Sequence, residues 1–585
     1  MYIERIFDII PYALERSNLD VALAGRKGGK WITWSMSQYA EMADLTSHGL
    51  LYLGVNPGDR IATISTNRPE WNFVDIGLLQ VGAVHVPLYP TINDEELLWA
   101  LTESETTIIF AGSKFLVQKI KALMPKLPSV RHLYSFDEFQ DVKPYNDLVE
   151  LGRNNSRPDL LKERKALVKP SDMASIIYTS GTTSEPKGVM LSHANHVSNF
   201  LIASFTIRLR PNEAVLSYLP LSHSYERMVN YVFQYIGLKI YYTESVNNIL
   251  SNFHEVKPQI LVTVPLLLER VYEGILKKGM KLSWPAKLIF NRSLVLANRY
   301  RHGEEMGWWY NFQLNIAHRL VFSKWQAVLG GRMKKIICGG AKVQPHLLRI
   351  FWAAGIPVFE GYGLTEASPL VAYNTEDDFR PGTIGKPIAD LLVRISIEGE
   401  LMVKGPGVMM GYYRQPELTQ QAVDVNGWLH TGDKAEMDDD GFLRITGRIK
   451  EIFKVASGVY VYPETLENKL KQSFFIANCM VVGEHRNYLA AVITVNFDYL
   501  REWCAEHHIE APPDNSVLLS LPKVKAQLDA DVKRYGQSPK ESENIARWLY
   551  TTDDWSVDTG ELSPSLKLRR RFVHDRYRDV IPGMF

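Results

Sequence analysis

The sequence predicts an α/β protein with a large N-terminal domain, residues 1–448, made of stacked α/β layers. A smaller α+β C-terminal domain, residues 449–585, follows it. Two observations lead there. Helical and strand-like stretches alternate over the first 170 residues and again from Lys334, the rhythm of parallel strands covered by helices. After Arg448 the character shifts: EIFKVASGVYVYP, a helix, CMVVGEH and YLAAVITVNF read as a separate small unit. A length of 585 residues, 46% hydrophobic and 22% charged, is ordinary globular composition with chain enough for two or three domains.

The elements follow in order. WSMSQYAEMADLTSHGLLYLG places Leu, Ala and Met on one helical face and stops at Gly54. RIATIST is a short buried strand, WNFVDIGLLQVGA a helix and VHVPLY a strand; LLWALTES and TTIIFAG repeat the order. ASIIY is another apolar run, and a helix follows from about Ser192 to Ile207. Residues 265–330 are mostly helical and rich in Lys, Arg and Trp. KKIICGG, a helix and IPVFEGYG restore the α/β rhythm, and Gly382 to Arg448 reads strand-turn-strand with turns at KGPG and DDDG. The segment Asp498–Ser556 is polar and reads as helical.

Composition excludes several classes. A net charge of +1 sets up no overall field toward nucleic acid or acidic membranes. Three cysteines, Cys338, Cys479 and Cys504, cannot frame a fold of this size; they read as structural and favour a reducing compartment. The first residues carry Glu4, Arg5 and Asp8 and lack the apolar core of a signal peptide. Ile76–Asn93 is uncharged apart from its Asp75 and Asp94 flanks, but it holds Gln80, His85, Pro87 and Pro90, which disqualify it as a membrane span. The expectation is a cytoplasmic enzyme.

The strongest chemical signal is Tyr178-Thr-Ser-Gly-Thr-Thr-Ser-Glu-Pro-Lys-Gly188. Gly181 and Gly188 let backbone N–H groups approach an anion closely. Ser180, Thr182, Thr183 and Ser184 add donors, and Lys187 adds charge. The result is a polyphosphate cradle. It is not a Walker loop, because Lys precedes Gly and no Ser/Thr follows the lysine. A second cluster, Gly361-Tyr-Gly-Leu-Thr-Glu-Ala-Ser-Pro369, can offer an aromatic face to a base with Thr and Glu beside it.

These segments resemble the AMP-forming acyl/aryl-CoA synthetase, luciferase and peptide-synthetase adenylation superfamily. The first resembles its phosphate loop, with Ser184 where the usual form has Gly, and the second its central motif. Cys338-Gly-Gly-Ala341 resembles its adenine-side loop, and Thr431-Gly-Asp433 with Gly447-Arg448 its ribose-binding pair. The resemblance implies nucleotide-binding roles for Thr179, Ser180, Gly181, Thr182, Thr183, Lys187, Gly340, Ala341, Tyr362, Gly363, Thr365, Asp433, Arg448 and Lys567. Tyr362 would stack on adenine and Thr365 would bind the α-phosphate. Glu366 and Thr182 would hold Mg²⁺, a hard ion suited to oxygen ligands. Lys450 matches the hinge about which the C-terminal domain is mobile, and Ser457 and Gly458 would line the thioester-forming face. Thr559-Gly-Glu-Leu-Ser-Pro-Ser-Leu-Lys-Leu-Arg-Arg570 resembles the C-terminal lysine motif, so Lys567 would be the catalytic cation. The order Ser-Leu-Lys, in place of Ser-Gly-Lys, is similar to long-chain fatty acyl members.

Leu219-Pro-Leu-Ser-His-Ser-Tyr-Glu-Arg227 bears on the acid. His223 resembles the histidine beside the acyl carboxylate, and Glu226-Arg227 resembles long-chain fatty acid–CoA ligases in particular. Val264 to Gly274 resembles that subgroup's segment near the acyl tunnel. The activity implied is formation of acyl-AMP from a fatty acid and ATP with Mg²⁺, then transfer to coenzyme A. Catalysis would rest on Lys567, His223, Thr182 and Glu366. The partners are these small molecules, with no nucleic acid; a homodimer is left open. A fatty acyl-AMP ligase loading a carrier protein, and a medium-chain or aryl acid–CoA ligase, are the alternatives. Trp308, Trp309, Trp325, Tyr300 and Tyr310, with Arg299, Arg301 and Arg319, form an aromatic-basic insert that suits either a core or peripheral contact with the inner face of a membrane.

Overall fold

A computed structural model describes residues 2–179, 186–245, 248–537, 544–563 and 567–585, without the side chain of Ile207. Ser180, Gly181, Thr182 and Thr183 lie outside the described residues. The chain is a mixed α/β structure with a large multi-sheet N-terminal part. Among the described residues it holds two large sheets and three smaller ones.

The first large sheet has eight strands, in the order Gly411–Tyr412, Lys187–Ser192, Met173–Thr179, Val84–Leu88, Arg60–Ile64, Ile108–Ala111, His132–Ser135 and Lys143–Pro144. The pairings from Val84–Leu88 outward to Lys143–Pro144 are parallel. The inner strands Val84–Leu88, Arg60–Ile64 and Ile108–Ala111 are buried almost throughout, because helices cover both faces. The second sheet has nine strands, and Ala214–Ser217, Ile260–Thr263, Lys335–Cys338 and Val358–Gly363 run parallel at its centre. One continuous core joins both sheets through the helices Met36–Tyr52, Pro69–Gln80, His193–Ile207 and Ser224–Ile236.

Local signals set the element ends. The Ser35 side chain caps Met36–Tyr52 by accepting from the Gln38 N–H, and Gln38 reaches back to the Ser35 N–H. Gly54, at φ +77°, ends that stretch in the left-handed region. A four-stranded antiparallel sheet, Leu392–Ile395, Glu400–Lys404, Leu429–Met437 and Leu443–Arg448, follows the second sheet in sequence. Past Arg448 come a two-stranded hairpin and a three-stranded sheet, Ile476–Val482, Leu489–Val495 and Ile545–Thr551. The last strand departs from the sequence expectation, which had Asp498–Ser556 as helical. Phe497–Glu506, Asn515–Ser520 and Pro522–Tyr535 are helices, but IARWLYT pairs parallel with Leu489–Val495. It is an edge strand and keeps polar side chains on its open face, so its hydropathy resembles a surface helix.

A buried ionic network ties the two large sheets. Asp75, on Pro69–Gln80, accepts from Arg227 Nη2 at 2.6 Å and from the Tyr231 hydroxyl at 2.6 Å. Its Oδ1 also lies 2.6 Å from Nδ1 of His85, on the strand Val84–Leu88 of the eight-stranded sheet. Arg227 Nε donates to Tyr231 at 2.7 Å, and the Arg227 side chain is wholly buried. Burial opposes the Asp75 charge, but Arg227, His85 and Tyr231 outweigh it and hold the carboxyl down to about 2. Burial pushes His85 down to about 4, so its ring is neutral near pH 7.

Removing one member of such a pair leaves an uncompensated buried charge. Arg227→Met is expected to cost about 3–5 kcal/mol, read as a lower urea midpoint, and the Asp75→Asn, Arg227→Met pair to recover part of it. The same carboxyl contributes stability that is full above about pH 4 and lost as pH falls through 2. An Arg227→Met midpoint equal to wild type would contradict this assignment.

Candidate active site

A cavity of about 650 Å³ opens where both large sheets, the four-stranded sheet and the C-terminal part meet. Its floor begins at two antiparallel strands of the eight-stranded sheet. Met173–Thr179 pairs antiparallel with Lys187–Ser192 and sets Thr179 opposite Lys187, so both ends of the loop lie at the cavity wall. Trp99 Nε1 donates to the Pro186 carbonyl at 3.2 Å and pins the returning end.

The central motif forms the opposite wall. Val358–Gly363 ends the parallel run and turns back into Leu370–Tyr373. Gly363 is required there, since a Cβ would lie 2.0 Å from the Pro369 carbonyl oxygen. Tyr362, Gly363, Thr365 and Glu366 all line the cavity. The Tyr362 hydroxyl donates to Asp433 Oδ2 at 2.5 Å, and Arg448 Nε meets Asp433 Oδ1 at 3.1 Å. Asp433 and Arg448 are paired across the antiparallel strands Leu429–Met437 and Leu443–Arg448, which places aspartate, arginine and tyrosine together. Glu366 Oε1 accepts from the Tyr412 hydroxyl at 2.9 Å, and Lys187 Nζ sits 5.0 Å from the Tyr412 ring centroid. Thr365 and Ser224 hydroxyls share a hydrogen bond at 2.9 Å.

His223 caps the helix Ser224–Ile236. Its Nδ1 accepts from the Tyr225 N–H at 3.1 Å, so the neutral ring carries its proton on Nε2. Burial, aided by the Lys567 charge, pushes His223 down to about 4, so the ring is neutral near pH 7. Lys567 lines the same cavity. Its surface is open to the cleft, yet the protein around it lowers its pKa, as does Arg448, against the pull of Asp433, Glu464 and Glu451. Burial and the Lys450 charge likewise lower Lys187, while Glu366 opposes them. Lys187, Arg448, Lys450 and Lys567 thus gather around this cavity, beside Glu96, Glu366, Glu400 and Glu451, and their cationic groups can hold a polyanion.

Ion pairs bring Lys567 to this place. Arg569 meets Glu96 at 3.2 Å, and Arg570 meets Glu467 at 2.7 Å and Glu451 at 3.4 Å. Farther out, Lys277 meets Glu502 at 2.7 Å.

Thr179, Lys187, His223, Gly340, Tyr362, Gly363, Thr365, Glu366, Arg448, Lys450 and Lys567 thus share one cavity, and Asp433 stands behind Tyr362 and Arg448. Ala341 lies just outside the lining, and Ser457 and Gly458 are exposed on the hairpin beyond Arg448. Sequence reasoning missed Tyr412, which holds Glu366, and the Glu400–His430 pair at 2.8 Å in the wall. His430 directly precedes the Thr-Gly-Asp motif, and alternation along Leu429–Met437 was the available signal. Glu226 and Arg227 do not enter the wall. Ser217 donates to Glu226 at 2.5 Å, and burial raises that carboxyl to about 8. The three cysteines are free and buried, and burial raises each thiol, so none is a poised thiolate.

Among the described residues no group of three or more His, Cys, Asp or Glu could hold a metal ion. Glu366 still fits Mg²⁺, which is commonly bound by one or two carboxylates, waters and the phosphates of a substrate.

The fold and this cation-lined cavity define a nucleotide-using enzyme. The profile of the AMP-binding enzyme family matches residues 13–413, and the chain belongs to that family. It is 32% identical to the long-chain-fatty-acid–CoA ligase FadD15 of Mycobacterium tuberculosis, over 98% of this chain and 95% of that protein. It is 29% identical to human long-chain-fatty-acid–CoA ligase 1, over 98% and 85% of the two chains. In fold it is similar to the adenylation domain of a carboxylate reductase from Mycobacterium chelonae, with a TM-score of 0.75, 20% identity and coverage of 99% and 91%. The anthranilate CoA ligase AuaEII gives a TM-score of 0.73 at 17% identity, covering 98% and 97%.

The lowered amines of Lys187 and Lys567 lead to a linkage prediction. An anionic ligand raises both pKa values, so ATP binding at alkaline pH is expected to take up protons. Calorimetric heats measured in buffers of different ionisation enthalpy would show it, and equal heats in all buffers would refute it.

Proposed function

We propose that this enzyme activates a long-chain fatty acid with ATP and passes the acyl group to coenzyme A, releasing AMP and pyrophosphate. The observation that carries the reading is the meeting of Lys187, Glu366, Tyr362, Arg448 and Lys567 around one cavity, in a chain similar along its length to long-chain fatty acid–CoA ligases.

In the first half-reaction a carboxylate oxygen attacks the α-phosphorus of ATP and pyrophosphate leaves. Tyr362 offers its ring to adenine, while Asp433 and Arg448 take the ribose hydroxyls. Thr365 binds the α-phosphate. Lys187, together with the loop Thr179–Thr183, holds the β- and γ-phosphates. Lys567 faces the negative charge that grows on the attacked phosphoryl group. Neutral His223 holds the acyl carboxylate without adding a charge that would blunt its attack. Glu366 and Thr182 would hold Mg²⁺, which supplies further charge neutralisation on the phosphates when bound.

In the second half-reaction the coenzyme A thiol attacks the acyl carbon, its proton passes to solvent, and AMP leaves. The reading divides the chain into domains 1–448 and 449–585. Rotation about Lys450, in the short turn Ile449–Glu451, would withdraw Lys567 and present Ser457 and Gly458. The ion pairs Arg569–Glu96 and Lys277–Glu502 would break in that movement. No described helix is long and apolar enough to cross a membrane. The proposed location is the cytoplasm, with fatty acid reaching the enzyme at the inner face of a membrane.

Incubation with ATP, Mg²⁺ and palmitate should yield palmitoyl-CoA, AMP and pyrophosphate when coenzyme A is added. Palmitoyl-AMP that accumulates with or without coenzyme A would overturn the acceptor. Lys567→Ala should slow adenylation about 100-fold or more, the size of a lost charge stabiliser, yet spare thioester formation from supplied palmitoyl-AMP. Equal loss in both steps would defeat the division of labour. Glu366→Gln should raise the Mg²⁺ concentration needed for half-maximal adenylation about tenfold or more, while pyrophosphate release at saturating Mg²⁺ falls less.

A further inference from the structure

The helical insert between Met280 and Leu320 turns an unusual surface to solvent. On the helix Trp284–Arg299, Phe290, Ser293, Leu296 and Ala297 face the core. The opposite stripe, Trp284, Leu288, Arg292, Val295 and Arg299, follows helical spacing and is exposed. Trp284 is 76% exposed. The next helix, Trp308–Ala317, buries Leu314 and Ala317 and presents Trp308, Trp309, Phe312 and Ile316. Trp308 is 78% exposed and Trp309 is 56% exposed. These rings pack on one another and not on the core: Trp308 and Trp309 lie 5.4 Å apart edge to face, and Trp309 stacks on Phe312 at 5.6 Å. Arg292 Nη2 donates to Gln313 at 2.8 Å and Tyr310 donates to the Leu296 carbonyl at 2.8 Å, so the two helices run side by side and their outer faces join. Trp325, by contrast, is buried, so the insert separates core tryptophans from surface ones.

Charge identifies the occupant. Residues 277–324 carry nine Lys and Arg against two acidic residues, in a chain whose net charge is +1. Lys281 and Lys287 are exposed within the stripe region, and Arg319 and Lys324 at its far end. A protein partner buried on such a face would have to desolvate these cations. A bilayer surface does not ask this: tryptophan settles at the headgroup level, lysine and arginine extend to anionic lipid, and the apolar stripe enters the acyl boundary.

We propose that the outer face of helices Trp284–Arg299 and Trp308–Ala317 seats this protein on an anionic lipid surface. The surface stands on its own geometry; its use in collecting a poorly soluble acid rests on the fatty acid reading above. Trp308 and Trp309 are not among the residues lining the reaction cavity, so seating and chemistry are separable.

The full chain is tested by co-sedimentation with vesicles of phosphatidylcholine alone and of phosphatidylcholine mixed with phosphatidylglycerol. Binding is expected to the mixed vesicles and to weaken with salt. The pair Trp308→Ser, Trp309→Ser should lower it about tenfold or more. The pair Lys281→Gln, Lys287→Gln should lower it about fivefold per charge. Both variants should keep the wild-type rate on octanoate, an acid soluble without vesicles. Wild-type binding to neither vesicle, or undiminished binding by the tryptophan variant, overturns the proposal. So does light scattering that shows a dimer which the tryptophan variant dissolves, because the face would then join two copies. Vesicle binding that the variants abolish, in a protein that activates no acid, keeps the surface and removes only the fatty acid reading.

Discussion

The Asp75–Arg227 pair fixes where the active-site helix begins. Arg227 sits one turn inside Ser224–Ile236, and His223 caps that helix at the cavity wall. Asp75 belongs to a helix packed on the eight-stranded sheet, and Arg227 to a helix between two strands of the nine-stranded sheet, so the bond between them crosses from one large layer to the other. A buried charge of this kind is not an efficient source of stability, but it tolerates little displacement, because any slip leaves an ion without a partner. The network therefore works as a register pin: it fixes the helix whose Ser224 meets Thr365 and whose cap is His223.

The cavity inverts that logic. In the core Asp75 is closed in by Arg227 and His85; around the cavity, whose lining also holds Glu96, Glu366, Glu400 and Glu451, Lys187 meets the charge of Lys450, and Lys567 that of Arg448. Their mutual repulsion is held in place by outer ion pairs, Arg570 with Glu467 and Arg569 with Glu96. A triphosphate bound there would relieve that repulsion.

Much of the site was legible because its residues sit in short contiguous motifs. Gly361 to Pro369 encodes a wall in one stretch, and Gly363 is there because the returning strand passes at contact distance. Tyr412 was not legible. It reaches Glu366 from the edge strand Gly411–Tyr412, which pairs with Lys187–Ser192 across more than two hundred residues of chain. Glu226 and Arg227 show the converse: their order carries a family resemblance, but their side chains serve the core. The strand Ile545–Thr551 escaped because an edge strand half open to water has no distinctive hydropathy.

The sequence by itself determined the class of chemistry, since a hydroxyl-rich glycine loop with one lysine, a Gly-Tyr-Gly turn and a C-terminal lysine are local features of the chain. It also determined the alternation that makes parallel sheets, because hydrophobic periodicity is a property of neighbouring residues. Only the tertiary structure decided which like residues differ in role. Trp325 lies in the core and Trp308 in solvent, although both belong to the same helical insert. Burial is settled by what packs opposite a side chain, and that neighbour comes from a distant part of the chain.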